Sequence, residues 1–225
     1  MWRPQLEALA RFGRSALAPD LPGHGRRRGE RFTLGASLAA IDDAVHEVGG
    51  RAVVVGMSLG GYLGIAYTAR NPDRVAALVA GGCSSTPDHP LTGAWLRAVR
   101  LIGRLPDRGS WLNQALVDRA LPRQGTRDIA AGGFALDVIA DVLTEMRALD
   151  PLADLARTKC PVWILNGQWD HFRLGERDFA AACPRAQVVT VRGANHIANL
   201  SRPVAFNRAL LEVLEHLDPA DADRE

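Results

Sequence analysis

The stretch Ala52-Val53-Val54-Val55-Gly56-Met57-Ser58-Leu59-Gly60-Gly61 decides how this chain is read. Its first half is a continuous apolar, β-branched run, the pattern of a strand buried on both faces of a parallel sheet. Its second half is Gly-x-Ser-x-Gly. Small residues around the serine allow a sharp strand-to-helix turn that pushes the hydroxyl out at the C-terminal end of the strand. The helix that follows is predicted to run to about Arg70, where Asn71-Pro72 breaks it. Its N-terminus offers free backbone N–H groups and a positive dipole end, both useful to a developing oxyanion. Gly-x-Ser-x-Gly alone is common; its place between strand and helix marks Ser58 as a candidate nucleophile.

Outward from this point, further strands are predicted at 75–80, 162–165 and 187–191, and a short one at Ser15-Ala16-Leu17-Ala18, closed by Pro19-Asp20. Helices are predicted over 2–11 (with Leu6, Leu9 and Ala10 on one face), 33–48 with Thr33 as N-cap, 174–182 and 204–217. Strands alternating with helices predict an α/β fold, a mostly parallel sheet covered by helices on both faces. From Ser85 to Asp150 no strand-like run occurs. That segment reads as helical, interrupted at Pro90, Pro106, Pro122 and Gly132-Gly133. The expected organisation is a core of 1–84 and 151–218, a helical cap insertion of 85–150, and a tail of 219–225.

The length of 225 residues fits one domain, or one domain carrying an insertion. Hydrophobic residues at 47% and charged residues at 23% argue against disorder or a fibre. The 27 basic and 25 acidic residues leave a net charge of +2, so neither a nucleic-acid partner nor a membrane surface is expected. No apolar run approaches the roughly 20 residues of a membrane span, and the start lacks the apolar core of a signal peptide. Cys83, Cys160 and Cys183 lie far apart with no metal-binding spacing. They read as reduced, buried thiols of a cytoplasmic protein.

A nucleophilic serine needs a base, and the base needs an orienting carboxylate. Asn166-Gly167-Gln168-Trp169-Asp170 follows one predicted strand and Gly193-Ala194-Asn195-His196 follows the last. Both fall at C-terminal strand ends, where open α/β sheets bind ligands. The order Ser58, Asp170, His196 is the Ser…Asp…His order of one known triad arrangement. Rivals weigh less: His24 reads as structural, His171 as a loop residue, His89 as part of the insertion, His46 and His216 as surface residues. Asp88 is the runner-up for the acid.

With these segments in place the chain resembles an α/β-hydrolase of the single-domain esterase, haloperoxidase-like and meta-cleavage-product-hydrolase type. The resemblance rests on Asp20-Leu-Pro-Gly-His-Gly25, Gly56-Met-Ser-Leu-Gly-Gly61, Asn166-Gly-Gln-Trp-Asp170 and Gly193-Ala-Asn-His196. It implies Ser58 as nucleophile, Asp170 as acid, His196 as base and the Leu59 backbone N–H as one oxyanion donor. Family members normally begin with two or three further strands and a His-Gly loop carrying the second donor. That front is not matched here, so the second donor is unassigned. Either strands 15–18 and 52–55 pair directly, or the natural chain starts upstream of Met1.

The insertion carries Trp95, Leu96, Val99, Ile102, Leu105, Trp111, Leu112 and Leu116, as a lid over the serine or as ordinary packing. Met57, Trp95, Trp111 and Trp169 are the candidate pocket residues. Arg97, Arg100 and Arg104 share a helical face and read as solvated, as do Arg26, Arg27 and Arg28. The expectation is a cytoplasmic serine hydrolase that takes a small, largely apolar ester or related acyl compound, with no metal and no cofactor. The alternatives are a C–C hydrolase or lactonase with the same triad, and a truncated, catalytically weak binding module.

Overall fold

The computed structural model describes residues 1–86, 101–102, 104–105 and 109–217. Four strands, β1 (Ala52–Met57), β2 (Val75–Gly81), β3 (Val162–Gly167) and β4 (Ala186–Val191), pair in that order, all parallel. Around them lie α1 (Arg3–Arg11), α2 (Leu34–Glu47), α3 (Leu59–Arg70), α4 (Ser110–Ala120), α5 (Arg123–Gly132), α6 (Ile139–Met146), α7 (Pro151–Arg157), α8 (Glu176–Ala182), α9 (Ala198–Ser201) and α10 (Pro203–Glu215). The architecture is the α/β one expected.

Period-two alternation along the strands feeds two cores. Leu78 and Ala80 of β2, with Val162 and Ile164 of β3, face α2, α3, α7 and α8. Ala77, Val79, Trp163 and Leu165 face α10, with Trp2 and Leu9 packed alongside. Covering both faces is why the central strands read as unbroken apolar runs. α3 is apolar nearly all round, and Gly61 through Thr68 are buried. Side chains cap two of the helices: the Thr33 hydroxyl, as expected, accepts from Ala36 N at 3.2 Å, and Asp150 Oδ1 accepts from Ala153 N at 3.0 Å.

Three expectations change. Ser15–Ala18 forms no strand; it stays outside the sheet and stands largely exposed. Neither Ser15 nor the two alanines favour strand, and no described strand lies beside them to take their backbone hydrogen bonds. The direct pairing of 15–18 with β1 therefore does not form. β1 is accordingly an edge strand whose residues 52–55 are only half-buried. The inward face of α1 is also different: the buried residue is Gln5, while Ala10 is exposed. The Gln5 amide donates to Asn199 O at 3.0 Å and Asn207 Oδ1 at 2.8 Å, which ties the start of the chain to α9 and α10.

The described part of 85–150 is helical, without a strand among the described residues. Val138, with Ala135 and Val142, packs on Phe32, Leu59 and Leu63, which sets the insertion against the first turns of α3. Trp95, Leu96, Arg97, Val99 and Arg100, the rivals Asp88 and His89, and the tail 219–225 lie outside the described residues. No helix among the described residues is long and apolar enough to cross a membrane.

Candidate active site

Ser58 sits between β1 and α3 at φ +52°, the one non-glycine residue with positive φ among the described residues. That conformation is strained for an L side chain and needs close backbone approaches to hold it. A Cβ on Gly56 would lie 2.1 Å from Gly60 O, and one on Gly61 would lie 2.6 Å from Cys83 Sγ. These two glycines are demanded by space. Gly60, the second glycine of the motif, has nothing within 4 Å of a Cβ. Ser58 N donates to Gly81 O at 2.7 Å, clamping the turn to β2. Leu59 opens α3, so its N–H has no intrahelical acceptor.

His196 reaches this turn from the loop after β4. Its Nε2 lies 3.0 Å from Ser58 Oγ, and its Nδ1 lies 3.0 Å from Asp170 Oδ1. Three residues from three strand ends, far apart in sequence, are thus brought into one hydrogen-bonded line. The Asp170 side chain is fully buried, whereas His196 keeps 20% exposure. Asp170 Oδ1 also accepts Phe172 N–H at 2.8 Å, and the Phe172 ring lies 4.7 Å from the His196 ring. His171 lies beside Phe172, their rings 4.4 Å apart, and its ring is 5.0 Å from that of His196. Burial first, and then His196, hold the His171 imidazole below its usual range, with Asp170 working against both.

Several supports were not foreseen. A Cβ on Gly82 would lie 3.1 Å from His196 Cε1, so this glycine makes room for the imidazole. Fully buried Asn166 accepts from Gly82 N at 3.0 Å and donates to Ser84 Oγ at 3.1 Å and Glu176 Oε2 at 2.8 Å. It thereby joins the loop after β2 to β3 and α8. Gln168 Oε1 accepts from Gly193 N at 2.9 Å, linking the Asp170 and His196 loops. The signal for Asn166 and Gln168 was their place in the string that ends at Asp170. Glu176 carried none.

The pocket candidates fare differently. Met57 is buried within the core, where a Cβ on Gly81 would strike its Sδ. Trp111 and Trp169 are 76% and 70% exposed. His24 holds Pro22 O at 3.0 Å and sets its ring edge on Phe32, a structural role. Arg26 and Arg27 pair with Asp20 and Glu30 at the surface, and Arg104 is exposed. The three cysteines are free and buried, and burial pushes the Cys83 thiol up.

Residues 1–209 match the model of the alpha/beta hydrolase family. The chain belongs to the alpha/beta hydrolase family. Its fold is shared with a carboxylesterase of Nitrososphaera gargenis at 16% identity (TM-score 0.78), over 96% of this chain and 85% of that one. An enol-lactonase from Burkholderia xenovorans is 20% identical with a TM-score of 0.73, over 95% and 85%. A thermophilic esterase from Thermogutta terrifontis is 21% identical with a TM-score of 0.70, over 96% and 85%. No curated protein sequence matches the chain. At such identities these hydrolase-fold neighbours speak to the fold.

Proposed function

We propose that this alpha/beta hydrolase is a serine hydrolase of small, largely apolar esters or related acyl compounds. The observation that carries the reading is the Ser58–His196–Asp170 line, with both links at 3.0 Å, on a serine held at φ +52°. Ser58 Oγ attacks the acyl carbonyl while His196 Nε2 takes its proton. The same nitrogen then gives that proton to the leaving alcohol, and an acyl-enzyme remains. Water, activated by His196, releases the acid and restores Ser58. Asp170 holds the imidazole with its Nδ1 proton directed inward and stabilises the charge that forms on the ring. The Leu59 N–H, at the positive end of α3, is the oxyanion donor we assign. No step calls for a metal or organic cofactor.

Lactone opening and hydrolytic C–C cleavage run through the same three groups, and the enol-lactonase neighbour makes a lactone a sensible second substrate to test. A purely binding role would leave the strain at Ser58, about 1–3 kcal/mol, without a purpose. The test is labelling with a fluorophosphonate probe, followed by peptide mapping and hydrolysis of a short-chain aryl ester. Label on Ser58 with turnover supports the reading. Label elsewhere, with Ser58→Ala still fully active, would remove it.

A further inference from the structure

Hydrolysis leaves one neighbour of the catalytic line unused. The ligand atoms of Asp170, His171 and His196 all lie within 4.8 Å of one another. Imidazole nitrogen and carboxylate oxygen are the donors that zinc and related transition-metal ions take. A tetrahedral ion with bonds of about 2.0–2.1 Å holds its donors about 3.3 Å apart, so a modest turn of one side chain closes the set. The His171 ring packs against Phe172 and His196, but the residue keeps a solvent-exposed side, so an ion can reach it from solvent.

A second observation points the same way. The Asp170 side chain is fully buried, and its Oδ1 takes both the His196 ring nitrogen and the Phe172 N–H. Its Oδ2 is buried with no hydrogen-bond partner. Orphaned buried carboxylate oxygens are uncommon, because the lost hydration is not replaced. The carboxylate therefore has coordination capacity to spare beside two imidazoles.

We infer that Asp170, His171 and His196 form an inhibitory site for a zinc-class divalent cation. The hydrated ion exchanges bound water for these donors, and nothing is oxidised or reduced. Bound at His196 Nδ1, it displaces the Asp170 hydrogen bond and leaves the ring proton on Nε2. The protonated Nε2 then no longer accepts the Ser58 proton. Because hydrolysis is blocked through His196, this regulation rests on the hydrolase reading, whereas cation binding does not.

The experiment titrates zinc chloride against ester hydrolysis and, separately, against Ser58→Ala by calorimetry, which needs no turnover. We expect reversible inhibition relieved by a chelator, one zinc per Ser58→Ala chain, and no effect of magnesium, which prefers oxygen donors. In His171→Ala, measured against its own zinc-free rate, the half-inhibitory concentration should rise about 10-fold or more. Zinc inhibition of equal potency in His171→Ala, or no one-to-one binding to Ser58→Ala, overturns the site. One-to-one binding that needs His171, in a chain with no esterase turnover, keeps the site and removes the hydrolase reading. Turnover without binding does the reverse.

Discussion

At the residue scale, Ser58 combines two costs that the proposed function explains: a strained backbone and a hydroxyl committed to one imidazole. Ser58→Ala and His196→Ala should each abolish most of kcat/KM on an aryl ester. The double variant should lose little more, because groups that act as a unit are not additive. Equal, multiplying losses would separate the two residues into independent roles. The strain itself is measurable. Ser58→Gly and Ser58→Ala both delete the hydroxyl, but only glycine relieves φ +52°. Ser58→Gly should exceed Ser58→Ala in unfolding free energy by about 1 kcal/mol, and identical denaturation midpoints would show an unstrained turn. For the acid, Asp170→Asn retains an oxygen for the Phe172 N–H, so the fold should survive. Its kcat should fall by about 10⁴, as when the carboxylate of a Ser-His-Asp triad is neutralised. An ester-hydrolysis assay beside circular dichroism checks both halves.

At the element scale, the turn between β1 and α3 is built from unequal glycines. Gly56→Ala drives a Cβ against the Gly60 carbonyl and should cost at least the 1–3 kcal/mol typical of overpacking. Gly60→Ala meets open space within a helix and should be neutral, or stabilising by about 0.5–1 kcal/mol. Thermal melts of the two single variants decide this, and a more damaging Gly60→Ala would contradict the geometry. Asn166 is the other element-scale joint, since it binds the ends of β2 and β3 to α8. Asn166→Ala orphans Gly82 N–H among buried groups, at about 1–3 kcal/mol. Because Gly82 borders His196, kcat should drop more than KM rises. A change confined to KM would show that Asn166 does not position the base.

At the scale of the whole molecule, a four-stranded parallel sheet is held by α1 and α10 on one face and by α2, α3, α7 and α8 on the other. The first helix is secured by polar contacts more than by grease. Gln5 is 2% exposed and bonds both Asn199 and Asn207, while Arg3 pairs with Asp128 at 2.8 Å. Gln5→Ala should lower stability by about 1–3 kcal/mol, since it leaves partners unpaired some 200 residues along the chain. Turnover at room temperature should persist, because Gln5 bonds Asn199 and Asn207 and none of Ser58, Asp170 or His196. Chemical denaturation with a parallel rate assay tests this, and an unchanged midpoint would mean that α1 is held by Trp2 and Leu9 alone.

What the sequence determined by itself is local: strand and helix periods, and the punctuation around them. The Val53–Val55 run, the breaker at Asn71-Pro72 and the Thr33 cap each act over a few residues, so each was legible. Ser58, Asp170 and His196 were legible as candidates because each follows an apolar run at a strand end. Ser15–Ala18 was misread because a strand exists only with a partner, and pairing is a property of the sheet. Gln5 was missed because a buried polar residue makes sense only with its distant acceptors, Asn199 and Asn207, in view. The tertiary structure alone decided that Met57 faces the core, that Gly82 borders His196, and that His171 joins Asp170 and His196 in one cluster. Those facts depend on contacts between segments far apart along the chain, which local pattern does not carry.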